Sequence, residues 1–383
     1  MRPGFPAFTH IQGGVVSLPE FRRDIISGQW VIIAADRVKR PETFACKGKY
    51  EIDHAALPER MESCPFCPGN EGMTPPEVLA LGRREGTPDS PGWRVRVVPN
   101  MFPAVRAGDG SAGEARPGEG AFFYREPGCG VHEVLIETTA HNRHPGSISR
   151  EQMRLVVDSY YRRYQALSGN QTLRFIMIFR NHGREAGASI EHPHSQLIAL
   201  PFIPGQVRME LEGAHEYYLN RRECPYCRLL EEERRSGIRM VAENSFFSAY
   251  MPFASRYPFE TWLLPRRHQS SFLDMEEKER EALAALLNEV LGRLSLVLDD
   301  PPYNFYLHSA PLRLAALPHY HWHLELIPKL TATAAFEMGA GVFINVVVPE
   351  EAAAFLRNKG GDSIESRGEG ILCPGLAQSP TRG

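Results

Sequence analysis

The chain has 383 residues, of which 43% are apolar and 23% charged, an ordinary balance for a globular protein with room for two units. A formal net charge of −3 argues against an electrostatic nucleic-acid binder, and no apolar run approaches the length of a transmembrane helix. Seven cysteines, an odd number in a chain this long, fit a reducing compartment such as the cytoplasm better than a disulfide scaffold. Met1 to Gly14 lacks a charged start followed by an apolar core, so no secretory signal is expected.

In chain order, the first chemical signal is the basic segment Asp36-Arg37-Val38-Lys39-Arg40-Pro41, which reads either as a phosphate contact or as a solvated charge run. Cys64-Pro65-Phe66-Cys67 follows, a knuckle spacing that points to metal. The run Glu133-Val134-Leu135-Ile136-Glu137 predicts a strand leading to His141. Ser149-Arg150-Glu151-Gln152 reads as a capping box opening a helix to about Leu167. A strand is expected over Leu173 to Phe179. Asn181, Gly187 and Ser189 then lie on the approach to Glu191-His192-Pro193-His194-Ser195-Gln196, where backbone amides can cradle phosphate. In this extended segment His192 is expected to look one way, toward a metal, and His194 the other way, into a site. Gln196, two residues on, shares the face of His194 and can donate an amide hydrogen bond there. A neutral imidazole with a neutral donor beside it suits nucleophilic attack on phosphorus.

The same order then recurs. Cys224-Pro225-Tyr226-Cys227 is a second knuckle. Glu260-Thr261-Trp262-Leu263-Leu264 is a second strand, and it leads to His268 at the same offset that separates Glu133 from His141. Asp274-Met275-Glu276-Glu277 reads as a second capping box, opening a helix with Leu283, Leu287, Val290, Leu294 and Val297 on one face. A strand from Tyr303 to Leu307 precedes His321-Trp322-His323-Leu324-Glu325. This twofold pattern predicts an α+β fold of two like units, 1–205 and 206–357, sharing one largely antiparallel sheet. The Gly-, Ser- and Pro-containing stretch 358–383 reads as a disordered tail.

The His-x-His-x-Gln signature, the two half-repeats and Cys-Pro-Phe-Cys-Pro-Gly-Asn-Glu together resemble the galactose-1-phosphate uridylyltransferase family, within the histidine-triad superfamily. The resemblance runs from about Arg22 to about Arg357. It implies a ping-pong reaction in which a nucleotide sugar donates its nucleotidyl group to His194 and a hexose 1-phosphate collects it. Gln196 falls on the amide that holds the phosphoryl oxygens, and the Ser195 hydroxyl is assigned a further phosphate contact. Cys64, Cys67, His141 and His192 fall on a structural zinc site, with His144 a rival for His141. A second site would take Cys224, Cys227 and His308, its fourth ligand being His323, Glu210 or water. The resemblance also assigns Arg37, Arg40 and Asn100 to the nucleotide, with Asn181 fitting a phosphate or ribose contact on the same approach. Gly339 and Asn345, in a segment that resembles one closing over the hexose phosphate, are assigned to the sugar. It implies a homodimer. An ADP-glucose phosphorylase, closely similar in the same motifs, is the alternative reading, since uracil and adenine pockets carry no distinguishing motif. Glu325 stands where the first half has Gln196, so the second half reads as a copy without the nucleophile's role. A non-catalytic zinc-binding module is the remaining alternative. It would need the cysteines, but not His194 and Gln196 on one face.

Overall fold

The computed structural model describes residues 19–34, 41–44, 57–108, 126–314 and 316–362. The strands are β1 Glu20–Arg23, β2 Trp30–Ile33, β3 Leu79–Leu81, β4 Val95–Pro99, β5 Val131–Ile136, β6 Phe175–His182, β7 His194–Leu200, β8 Met240–Glu243, β9 Phe247–Tyr250, β10 Thr261–Pro265, β11 Tyr303–His308, β12 His323–Pro328 and β13 Phe343–Asn345. The helices are α1 Pro41–Phe44, α2 Arg150–Ser168, α3 Gly205–Arg221, α4 Pro225–Ser236, α5 Glu277–Leu298, α6 Ala335–Ala340 and α7 Pro349–Asp362.

Ten strands form one sheet in the order β3-β4-β5-β7-β6-β11-β12-β10-β9-β8. Read from its two edges inward, the halves are the same. Each contributes three strands, a helix and a returning pair, and they join where β6 meets β11 antiparallel, Asn181 opposite Asn304. All pairings in this sheet are antiparallel. The sequence repeat is therefore a structural one, in one continuous sheet. A small second sheet, β1-β2-β13, includes a parallel pair between β2 and β13.

Alternation along the strands gives the large sheet two faces. One is covered by α2 and α5. Met153, Val156, Val157, Tyr160, Tyr164 and Leu167 recur at helical spacing and are buried on α2, as are Leu283, Leu287, Val290, Leu294 and Val297 on α5. They meet Ile176, Ile178, Leu197, Ala199, Phe305 and Leu307 from the central strands in a single apolar core. The other face carries His194, Gln196, Tyr306, His308, His323 and Glu325, and it is where the polar chemistry collects.

Ser149 caps α2, accepting from the Gln152 backbone N–H at 3.1 Å. The Gln152 side chain does not return to close the box. It donates to the carbonyls of Arg94 and Glu137, at 2.9 and 2.7 Å, and so ties the helix to the sheet. The second box is displaced from its expected place. It forms between Glu276 and Glu279 at the start of α5, while Asp274 belongs to a separate short turn capped by Ser271. The stretch assigned to the tail begins inside a helix, because α7 runs to Asp362; residues 363–383 lie outside the described residues.

Candidate active site

The strand β7 organises the site. His194 opens it, and Pro193 just before it accepts through its carbonyl from the Glu137 N–H at 3.0 Å. The ring of His194 is fixed by its own backbone: Nδ1 donates to the His192 carbonyl at 2.8 Å, which leaves Nε2 as the nitrogen free for chemistry. Burial holds the His194 pKa below its ordinary value, against the opposing effect of the His192 carbonyl, so the ring is neutral near pH 7. His194 lines a cavity of about 260 Å3 with Asn181, Ser189, Arg184 and the edge of the first knuckle. The volume lies just below the range of about 300–1,000 Å3 usual for small-molecule sites.

His192 and His194 do not turn to opposite sides. Both rings lie against Phe66, at centroid distances of 6.1 and 5.3 Å. A period of two returns residues i and i+2 to one face, and only Pro193 between them turns away. What separates their roles is hydrogen bonding. His192 donates from Nε2 to the Thr138 carbonyl at 2.8 Å and aims Nδ1 at the two thiols, 3.5 Å from Cys67 Sγ and 3.8 Å from Cys64 Sγ.

Ser195 is corrected by the same alternation. Its hydroxyl faces α2, fully buried, 2.7 Å from the Tyr160 hydroxyl and bonded to Glu137. It touches no phosphate site. It belongs to a buried polar cluster in which Glu137 also accepts from Tyr160 at 2.7 Å and pairs with Arg180. Arg180 in turn donates to the His194 carbonyl at 3.1 Å, so this ion pair supports the strand from beneath.

Among the described residues, three groups of side chains could hold a metal ion, each with its ligand atoms within 4.8 Å of one another. The first is Cys64, Cys67, His141 and His192. Asn70 shapes its knuckle by donating to the carbonyls of Met61, Glu62 and Cys64, at 3.2, 3.0 and 2.8 Å. His141, rather than His144, faces the sulfurs, with Nδ1 3.6 Å from Cys67 Sγ; His144 instead lies 3.4 Å from Asp300. Two thiols and two imidazole nitrogens converge with buried walls, and burial raises the Cys64 thiol above its ordinary pKa. Such a set fits a tetrahedral ion that would stabilise the thiolates.

The second knuckle takes different partners from those expected. Cys224 and Cys227 join His268 and His321, whose Nδ1 atoms lie 3.3 and 3.6 Å from Cys227 Sγ. His308 is not among them, because β11 carries it to the middle of the open face. There it forms the third group with Glu210, His323 and Glu325, its Nδ1 3.0 Å from the Glu210 carboxylate.

His323 is the repeat equivalent of His194, and its Nδ1 is likewise 3.0 Å from the carbonyl two residues before it. Its surroundings are hostile to a phosphate. Glu325 replaces the Gln amide, and its carboxylate lies 3.4 Å from His323 Nε2. Burial opposes its ionisation, yet Arg256, His323 and His308 hold its carboxyl below the ordinary range, so it remains anionic. An anion beside the nitrogen repels an incoming phosphoryl group. A separate cavity of about 290 Å3, lined in part by Tyr250, Trp262, Arg256 and Glu325, opens over this half.

The remaining assignments divide. Asn181 lines the His194 cavity, its Oδ1 accepting from Asn304 at 2.8 Å, so that its N–H groups are the ones left for a ligand. Asn100 stands at the end of β4, 3.1 Å from His132. Asn345 is removed from the candidates by its own bonds. Its amide donates to the carbonyls of Ser255 and Tyr257 and accepts from Val347, so a buried residue is fully committed to holding β13. Gly339 lies in the exposed helix α6 with no neighbouring atom within 4 Å of where a Cβ would stand. Arg37 and Arg40 lie outside the described residues.

The sequence matches the galactose-1-phosphate uridyl transferase N-terminal domain over residues 15–204 and the C-terminal domain of the same enzyme over 210–358. The chain belongs to the galactose-1-phosphate uridyl transferase family. It is 33% identical over 343 residues to the ADP-glucose phosphorylase of Arabidopsis thaliana, covering 88% of this chain and 92% of that protein. It is 31% identical over 346 residues to the galactose-1-phosphate uridylyltransferase of Thermotoga maritima, covering 88% and 98%. The fold is similar to that of the Arabidopsis thaliana ADP-glucose phosphorylase solved with bound ADP-glucose, with a TM-score of 0.73, 31% identity, and coverage of 89% of this chain and 99% of that one. A solved uridylyltransferase gives a TM-score of 0.68 at 26% identity, covering 90% and 99%.

Proposed function

We propose that this family member is a nucleotidyltransferase that passes a uridylyl group from UDP-glucose to a hexose 1-phosphate, galactose 1-phosphate by family, through a covalent uridylyl-histidine at His194. The observation that carries the reading is the His194 ring, neutral, locked through Nδ1 and open through Nε2 into a cavity. In the first half-reaction the Nε2 lone pair attacks the α-phosphorus. The bond from that phosphorus to the bridging oxygen breaks, and glucose 1-phosphate leaves with the electron pair. In the second, a phosphate oxygen of the acceptor attacks the same phosphorus, and the pair of the P–N bond returns to Nε2. Gln196, Asn181 and the Ser189 backbone amide are the donors for the phosphoryl oxygens, since the Gly187 and Ala188 N–H groups already donate to the carbonyls of Arg184 and Gly183, and Asn100 is the neighbouring contact for the nucleotide. Arg180 holds the strand through the His194 carbonyl.

Adenylyl transfer from ADP-glucose to phosphate is the second reading, favoured by the 33% identity to the plant phosphorylase. Single-turnover release of glucose 1-phosphate separates the two. Fast release from UDP-glucose and slow release from ADP-glucose is expected, and the reverse preference would transfer the assignment to the phosphorylase.

Zinc suits both Cys2His2 groups, and its role at the first is to fix the His192 end of the active strand. None of the described helices is long and apolar enough to cross a membrane. The free thiols among the described cysteines suit a cytoplasmic location, and a homodimer follows the family pattern. Elemental analysis is expected to give two zinc ions per chain for the two Cys2His2 groups. Cys67→Ser and Cys227→Ser should each lose one, Cys67→Ser also slowing the first half-reaction. Retention of both ions in Cys67→Ser would contradict the assignment.

A further inference from the structure

One histidine beside the site touches Gln196 and is neither the nucleophile nor a ligand in any of the three metal-binding groups. His132, on β5, reaches across to β7, where its Nε2 lies 2.8 Å from Gln196 Oε1. Its other nitrogen is met by a group of unambiguous polarity: the Ala104 backbone N–H donates to Nδ1 at 3.0 Å. A nitrogen that accepts from a backbone amide carries no proton, so the ring's proton sits on Nε2. That N–H then donates to Gln196, which must present its carbonyl oxygen to His132 and its NH2 elsewhere. Among the described residues the Gln196 amide nitrogen makes no protein hydrogen bond. Asn100 is oriented in the same manner, since its Oδ1 accepts from the Phe102 backbone N–H at 2.9 Å, leaving its NH2 crowded 3.1 Å from His132 Nε2. Two backbone amides thus fix the sense of two side-chain amides: the Asn100 NH2 stays beside His132, and the Gln196 NH2 is the one turned away from it.

We infer that His132 is a positioning residue whose Nε2–H tautomer, set by the Ala104 N–H, holds the Gln196 amide with its N–H groups toward the phosphoryl group carried by His194. This rests on the nucleotidyl-transfer reading above. The opposite tautomer would set two N–H groups against each other at Ala104. It would also draw the Gln196 NH2 toward His132 and turn a carbonyl oxygen toward the anionic phosphoryl group, where it repels.

The test is the rate of covalent nucleotide uptake from UDP-glucose, with ADP-glucose in parallel, in the full-length protein. His132→Phe should slow uptake by about 10- to 100-fold, a share of what loss of a transition-state hydrogen-bond donor costs. His132→Gln, which can still place a donor against Gln196 Oε1, should recover most of the rate. In a Gln196→Ala background, His132→Phe should have almost no further effect. Equal slowing in both backgrounds, with no recovery in His132→Gln, would mean a merely structural role and overturn the proposal. The tautomer is read separately, from nitrogen-15 spectra of histidine-labelled protein. A proton on Nε2 of His132 is expected, and a proton on Nδ1 overturns the proposal whatever the activity. If the wild type takes up nucleotide from neither sugar, the transfer reading falls, and the nitrogen spectrum still decides the tautomer.

Discussion

His194→Ala is expected to lower turnover by about 10⁴-fold or more, the order seen when a covalent nucleophile is removed. Among the described residues the other histidines near the site are otherwise engaged, the cavity-lining His182 with Nε2 3.0 Å from the Asp300 carboxylate. The first-site imidazoles point Nδ1 at thiols. His323 is shielded by the Glu325 carboxylate. The effect should fall on both half-reactions, because one nitrogen serves as nucleophile and then as leaving group. Steady-state rates and single-turnover release of glucose 1-phosphate check this, with zinc content and unfolding midpoint unchanged as the control. Residual turnover within about tenfold of wild type would be incompatible with a covalent histidine intermediate.

Arg180→Leu should be the most damaging substitution for stability near the site, costing about 3–5 kcal/mol, the range for removing one partner of a buried ion pair. The Arg180 and Glu137 side chains are 3% and 2% exposed, so Glu137 would be left charged without solvent. Tyr160 and Ser195 would remain as its hydrogen-bond partners, which compensate only part of the charge. The double substitution Arg180→Leu/Glu137→Leu removes both charges and should recover a large part of the loss in stability. It should not recover activity, because the His194 carbonyl still lacks the Arg180 donor. Denaturant unfolding of the two single variants and the double variant measures the coupling. Strictly additive losses would show that the two charges do not act as a pair.

Much of this was readable in the chain because repeats and periodicity are local. The strand leading to His141 predicts one leading to His268, and the helices of both halves follow from capping signals and apolar spacing. The same repeat could have assigned the second knuckle. His268 stands at the offset of His141, and His321 two residues before His323, as His192 stands before His194. The family resemblance points instead to His308, which the fold carries into a different group. His192 shares a side with His194 because a period of two returns i and i+2 to one face, and the same alternation carries the Ser195 hydroxyl, assigned to phosphate by the family resemblance, to the α2 side. No sequence motif gives Glu137, Arg180 or His132 a role at the site. Their significance comes from cross-strand neighbours, Ile136 opposite His194 and His132 opposite Ile198, and register is a property of the folded sheet. The commitment of Asn345 to three backbone groups is likewise visible only once the chain is folded.

The most direct test is to locate the covalent nucleotide. The protein is mixed with UDP-glucose, and separately with ADP-glucose, without acceptor, then digested and its peptides weighed at a pH that preserves the phosphorus–nitrogen bond. The account predicts one nucleotidyl group per chain, on the peptide containing His194, discharged by adding the acceptor. A nucleotide found on His323 or elsewhere, or none from either donor while turnover continues, would contradict it.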